Sequence, residues 1–228
     1  MNTPHRPRAA MILAAGRGER MRPLTDTTPK PLLRVHGEPL IERHVARLAA
    51  AGVTRIVINL AWLGGQIRGY LGDGARYGAT ITYSEESPQA LETAGGIFRA
   101  LQYLSPGPFI VVNGDVYTDF PFETLALDAG HDAHLVMVRN PSYLKGDFGI
   151  ERGEARATAA DLYTFSGISV YRPAFFEGCV DGVFPLKPLM LRSMAAGRCS
   201  AQLFEGLWAE VGTPERLAEL NAEPAPKN

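Results

Sequence analysis

The amino-acid sequence predicts a single α/β domain built on a mixed, mostly parallel, doubly wound sheet. Short apolar runs alternate through the first half with segments whose apolar residues repeat at helical spacing. The first run, Ala9 to Ala15, breaks directly into a glycine loop, as strands buried on both faces do in open sheets. The second half changes character, with strand-like runs separated by turns and short polar stretches.

Taken in order, Ala9 to Ala15 is the first strand. Pro39 to Ala51 places Leu40, Ile41, His44, Val45, Leu48 and Ala49 at helical spacing, and Gly52 follows as a terminator. Arg55 to Leu60 is the next buried strand, Trp62 to Leu71 a short helix and Ala79 to Glu86 a third strand. Gly95 to Leu104 reads as a helix and Phe109 to Asp115 as a fourth strand. Ala133 to Arg139 and Thr164 to Tyr171 are strands flanking a charged stretch, Gly146 to Asp161, that suits a hairpin or loop. Pro185 to Ala196 is a helix, and Ser200 to Gly206 and Leu207 to Gly212 are short strands. Thr213 caps a closing helix with Pro214 at its first position. No internal repeat or flexible linker interrupts the 228 residues, so one domain is expected, with flexible tails over 1–8 and 222–228.

Hydrophobic residues make up 46% and charged residues 21%, as in ordinary globular proteins. A formal net charge of -1 excludes the global basic bias of nucleic-acid binders, so positive charge used in function has to be local. Cys179 and Cys199 are too few for a disulfide framework and lack metal-ligand spacing; each reads as a structural thiol. His131 and His134 lie three apart but lead into an apolar run, which suits a turn better than a zinc site. The segment HRPRAAMILAAG has the outline of a signal peptide, but its apolar core is short and GRGERMR follows at once. No other segment has the length of a transmembrane helix. The expectation is a cytoplasmic protein, a monomer or weak homo-oligomer, with no nucleic-acid or membrane partner.

The chemistry is concentrated between Met11 and Leu33, MILAAGRGERMRPLTDTTPKPLL. Ala14, Ala15, Gly16 and Gly18 let the backbone approach a ligand and aim N–H groups at it. Arg17, Arg20, Arg22 and Lys30 place four cations within fourteen positions, a local surplus that suits a polyphosphate. Pro29 and Pro31 hold the backbone around Lys30 extended and fix where its ammonium points. A dinucleotide fingerprint fails at Met21, and no Walker A lysine pattern occurs anywhere. An ordinary strand-to-helix loop with solvated arginines is the bland alternative. Asp115 ends the fourth strand, where ligands collect in open α/β sheets and where a carboxylate suits magnesium.

This stretch resembles the signature of the sugar-1-phosphate nucleotidyltransferases, LAAGxGxRxxPLT followed after a spacer by PKP, with all fixed elements present in order. The resemblance extends through most of the chain, to VGTPERL. It implies a Rossmann-like, three-layer nucleotide-diphospho-sugar transferase fold. It also implies a reaction in which a sugar 1-phosphate attacks the α-phosphorus of a nucleoside triphosphate and expels pyrophosphate, with Mg2+ as cofactor. On the matching positions Arg20 and Lys30 are expected to be catalytic. Ala14, Ala15, Gly16, Arg17, Gly18, Gly95 and Asn113 are expected to hold the nucleotide, and Glu92, Thr93, Lys145, Ser166 and Gly167 the sugar. Asp115 becomes the metal-binding aspartate. The family's second metal aspartate, in a closing DVGT, is Glu210 in this sequence. The added methylene shifts the carboxylate by about 1.5 Å, and magnesium is strict about geometry.

The compact form resembles most closely the members that join UTP to N-acetylmuramic acid 1-phosphate in peptidoglycan recycling, and it predicts no appended β-helix domain. Mannose-1-phosphate guanylyltransferase and glucose-1-phosphate thymidylyl- or uridylyltransferase chemistry stay open. So does a catalytically weak nucleotide-binding regulatory module, which Glu210 would favour.

Overall fold

In the computed structural model, which describes residues 5–86 and 90–224, the first strand, β1 (Ala9–Leu13), is covered on both faces. Because side chains alternate along a strand, Ala10 and Ile12 enter one hydrophobic core while Ala9 and Met11 enter another. The chain continues through a small hairpin, β2 (Arg34–Val35) and β3 (Glu38–Pro39), then α1 (Leu40–Ala50), β4 (Arg55–Leu60), α2 (Gly64–Leu71) and β5 (Thr80–Glu85). Next come α3 (Glu92–Leu104), β6 (Phe109–Asn113), β7 (Val116–Thr118) and β8 (Ala133–Val138). The second half adds β9 (Gly149–Glu151), β10 (Glu154–Arg156), β11 (Thr164–Tyr171) and α4 (Lys187–Ala195). It closes with β12 (Cys199–Phe204), β13 (Trp208–Glu210) and α5 (Pro214–Ala222).

Nine strands form one sheet in the order β5-β4-β1-β6-β11-β8-β12-β10-β9. β5, β4, β1 and β6 are parallel, β11 runs antiparallel between β6 and β8, and β12 is again parallel to β8. The expected mixed, mostly parallel sheet is therefore present. Helices α1 and α2 pack on one face through Ile41, Val45, Leu48, Ile67 and Leu71. Helices α3 and α4 cover the other through Ala94, Ile97, Leu104, Met190 and Met194. Three layers result, and the central parallel strands β1, β4 and β6 are buried on both faces, as parallel sheets require.

Two details differ from the sequence expectation. Helix α3 starts at Glu92, three residues before Gly95. The fourth strand, β6, stops at Asn113, so Asp115 lies in the turn just beyond it, and β7 follows and pairs antiparallel with β13 as a separate ribbon. The stretch from Gly146 to Asp161 holds the β9–β10 hairpin, and Thr213 caps α5 by accepting from the Arg216 N–H. The expected tails lie partly outside the described residues. Of the remainder, His5 exchanges backbone hydrogen bonds with Leu127, and α5 extends to Ala222. Both cysteines are free, and burial pushes the Cys199 thiol up to about 12. Among the described residues no helix is long and apolar enough to cross a membrane.

Candidate active site

Strand β1 pairs with β4 on one side and β6 on the other, so the chain order reverses there. At the carboxyl ends of two such strands a crevice opens, the usual ligand position in open α/β sheets. Here it is a cleft of about 420 Å³. Its walls are the loop after β1, the ends of β4 to β6, and the start of α3. Ala14, Ala15, Gly16, Gly18, Arg20, Lys30, Glu92, Thr93, Asn113 and Asp115 all line it.

The loop after β1 is held from within. Gly18 has φ 69, and a Cβ there would come within 3.0 Å of Thr25 Cγ2 and 3.2 Å of Lys30 Cβ, so any side chain there is both strained and crowded. The Thr25 hydroxyl donates to the Gly18 carbonyl at 2.8 Å. Met21 is fully buried with Tyr117, Val211 and Leu220, which ties the loop to β7 and α5.

The four cations of the signature divide into two pairs. Arg17 lies outside the cleft lining: it stacks 3.7 Å above the Trp62 ring and donates to the Thr25 carbonyl and to Asp26. Arg22 also reaches Asp26, at 2.9 Å. The Arg17 hydrogen bond leads the causes that hold the Asp26 carboxyl below its usual range. Arg20 and Lys30 turn the other way. Arg20 donates to Glu210 at 3.0 Å, and Lys30 donates to Asp115 Oδ2 at 2.5 Å. The β7–β13 ribbon brings the two carboxylates to one lip: Glu210 pairs with Val116, and the Val211 N–H bonds the Asp115 carbonyl.

The remaining expected residues fall into distinct places. Ala14 lines the cleft, but its N–H is bonded to Asn59 Oδ1 at 2.7 Å. Glu92 lies on the wall with φ 57, a left-handed conformation that costs a non-glycine residue roughly 1 kcal/mol or more. Gly95 is buried outside the lining, and a Cβ there would meet the Gly182 carbonyl at 2.2 Å. Gly167 has φ 78 and packs against the Asn113 side chain. The Ser166 hydroxyl is buried at 1% exposure; it donates to the Val136 carbonyl and accepts from the Ile168 N–H. It thereby closes the irregularity where β11 shifts register against β8. Lys145 is exposed on the β8–β9 loop, outside the cleft lining. That loop touches α5, where the Arg216 guanidinium lies 3.3 Å from the Tyr143 ring centre.

Sequence reasoning missed Asn59 and Glu86, both in the lining and both nearly buried. The signal was available for Asn59, a polar residue near the end of an apolar strand, the pattern that singled out Asp115; Glu86 follows the mixed strand β5, where no such contrast marks it.

A family model, "Nucleotidyl transferase", matches residues 9–162, two thirds of the chain and all of its signature. The chain belongs to the nucleotidyl transferase family. This nucleotidyl transferase is 51% identical over 223 residues to N-acetylmuramate alpha-1-phosphate uridylyltransferase of Neisseria meningitidis serogroup B, covering 93% of this chain and 96% of that one. It is 35% identical to the like-named protein of Caulobacter vibrioides, covering 95% and 96%. In fold it resembles a Bacillus anthracis protein provisionally named glucose-1-phosphate thymidylyltransferase, with a TM-score of 0.80 at 21% identity and 94% coverage of both chains.

Members of the nucleotidyl transferase family generally use a divalent metal, and the donor set suits one. Magnesium typically takes one or two carboxylates together with substrate phosphates and water. Asp115 and Glu210 supply two carboxylates at one lip, and no group of three or more potential ligands forms a closed cage among the described residues.

Proposed function

We propose that this nucleotidyl transferase joins UTP to N-acetylmuramic acid 1-phosphate, giving UDP-N-acetylmuramic acid and pyrophosphate, as a cytoplasmic step of peptidoglycan recycling. The observation that carries the reading is the 51% identity, across 93% of the chain, to a relative named for that substrate and nucleotide.

A phosphate monoester is already ionised near neutral pH, so its attack on the α-phosphorus needs no general base. Among the described residues no histidine lines the cleft. Catalysis then consists of positioning and charge stabilisation. Ala15, Gly16, Gly18 and Asn113 frame the nucleotide, with Ala14 fixed by Asn59. Arg20 exchanges Glu210 for the leaving β- and γ-phosphates. Lys30 exchanges Asp115 for the α-phosphate or the incoming phosphate. Magnesium held by Asp115 and Glu210 would supply charge neutralisation between the reacting phosphates. Glu92 and Thr93 line the sugar side, where a carboxylate and a hydroxyl suit the donors of a sugar ring. Lys145 reaches the substrate only if the β8–β9 loop folds inward. Arg17 and Ser166 act through the scaffold, since their polar groups are committed inside it.

The test is a panel of triphosphates and sugar 1-phosphates with magnesium, read by pyrophosphate release. Release is expected with UTP and N-acetylmuramic acid 1-phosphate. Preference for GTP with mannose 1-phosphate, or for dTTP with glucose 1-phosphate, overturns the substrate assignment. Tight nucleotide binding without any release supports a regulatory module instead.

A further inference from the structure

Between the loop after β1 and the start of α3 lies a bridge made of two side chains. At one end the Ala14 N–H donates to Asn59 Oδ1 at 2.7 Å. In the middle Asn59 Nδ2 donates to Glu86 Oε1 at 2.7 Å. At the far end Glu86 Oε2 accepts the Leu91 N–H at 2.9 Å. All three bonds are buried, and Asn59 and Glu86 are only 4% and 3% exposed. Nevertheless both residues line the cleft. The fold also keeps room for them: a Cβ on Gly96 would come within 2.3 Å of Glu86 Oε1 and 3.1 Å of Asn59 Nδ2. The second glycine of the AGG stretch is therefore required by the bridge.

We infer that Asn59 and Glu86 are positioning residues for nucleotidyl transfer, setting the distance between the segment that holds the phosphates and the segment that carries Glu92 and Thr93. Several features separate this from ordinary core packing. The bridge ends on Ala14 and Leu91, one at the head of each ligand-facing segment, and among the described residues no backbone carbonyl of the sheet accepts either N–H group. A buried carboxylate is costly unless hydrogen bonds satisfy it, so its presence at the cleft wall needs a reason. Each link also has a fixed polarity. The carboxylate only accepts, so the amide between it and Ala14 must point its NH2 toward Glu86 and its oxygen toward Ala14. With one polarity possible, the bridge holds one spacing.

The same logic gives a swap that preserves it. Glu86→Gln alone turns an amide donor toward either Asn59 Nδ2 or the Leu91 N–H, and one bond is lost. Asn59→Asp alone sets two carboxylates against each other. Together, Gln at 86 donates to Asp at 59, Asp at 59 still accepts from Ala14, and Gln at 86 still accepts from Leu91. Charge and shape are those of the native pair.

The inference rests on the nucleotide-binding reading of the cleft, and the experiment separates the two. UTP binding by calorimetry, kcat and KM for both substrates, and the thermal midpoint are measured for wild type, E86Q, N59D and the double variant. Each single variant is expected to lose roughly tenfold or more in kcat/KM for UTP. The double variant is expected to return to within about threefold of wild type. Should a single variant fail to fold, the double variant carries the test alone, because it has to bind UTP as wild type does. A folded double variant as impaired as the singles overturns the inference. So do singles whose melting falls while their UTP kinetics stay unchanged. A wild-type protein that binds no UTP overturns the proposed function and the inference with it.

Discussion

Lys30 and Asp115, 85 positions apart in sequence, meet at 2.5 Å on the lip of the cleft, with their side chains 11% and 25% exposed. Beside them Arg20 and Glu210 form a second pair at 3.0 Å. Two cations proposed to bind phosphate are thus engaged with the two carboxylates proposed to bind metal. Each pair has to open for either partner to work, and a magnesium–triphosphate complex offers both a replacement at once.

Binding of magnesium and of UTP is therefore expected to be strongly coupled. Magnesium alone has to displace Lys30 from Asp115 with nothing to receive the lysine, and UTP alone leaves the carboxylates facing its phosphates. Calorimetry should show each ligand raising the affinity of the other by the same factor, roughly tenfold or more. Glu210→Ala should reduce that factor. Independent binding of the two ligands would contradict the exchange, and an unchanged magnesium dependence in Glu210→Ala would remove Glu210 as a ligand.

Lys30→Ala and Arg20→Ala should each lower kcat/KM by an amount corresponding to roughly 2–4 kcal/mol, the usual cost of removing a preorganised charge from a transition state. Steady-state kinetics with both substrates varied would check this. Near-normal values in both variants would move the catalytic charge elsewhere.

Ser166→Ala should behave differently from a sugar contact. Its hydroxyl joins the Val136 carbonyl to the Ile168 N–H inside β11, and removing it leaves both unsatisfied in the core. Chemical denaturation should show about 1–3 kcal/mol lost, while the KM for the sugar 1-phosphate stays at its wild-type value. A raised KM with unchanged stability would instead put Ser166 in contact with the sugar.

Acid should weaken the fold through His44. This residue is buried in α1, edge-on to Phe122, and burial pushes its pKa down to about 4. The Val116 backbone opposes the shift, yet neither ring nitrogen meets hydrogen-bond geometry with any described residue. The unfolded chain takes up a proton near 6.5, whereas the folded chain refuses it until about 4. Stability is thus fully present above about 6.5 and falls as pH drops through that interval, by on the order of 3 kcal/mol. Burial lowers His134 as well, in the same sense. Urea unfolding of His44→Phe between pH 4 and 7 should show a shallower acid slope than wild type; identical slopes would exclude His44 as a source.

The sheet and the signature loop were readable because both depend on local pattern: apolar strands, terminating glycines, and a spaced set of cations. The direction each cation takes was not. Arg17, Arg20 and Arg22 look alike in sequence, and Asp26, Trp62 and Glu210 decide between them through the fold. Gly95 carried a similar ambiguity. A glycine beside a cleft reads as room for a ligand, yet here the room is filled by the Gly182 carbonyl. Strand β7 has only three residues, too few for any periodicity to register, whereas its partner β13 lies inside the expected Leu207 to Gly212 strand. Asn59 and Glu86 lie at strand ends, but their meaning comes from facing one another across two strands.

The contact between Arg20 and Glu210 spans 190 residues, and Met21 is packed against Val211 and Leu220. A ribosome adding about 5–20 residues per second needs roughly 10–40 s to travel from one end of that contact to the other. During that interval the nascent chain already displays its glycine- and arginine-rich loop, with neither the brace beneath it nor Glu210 beside it. Competence arrives late and abruptly, when the last helix emerges and closes against the first loop.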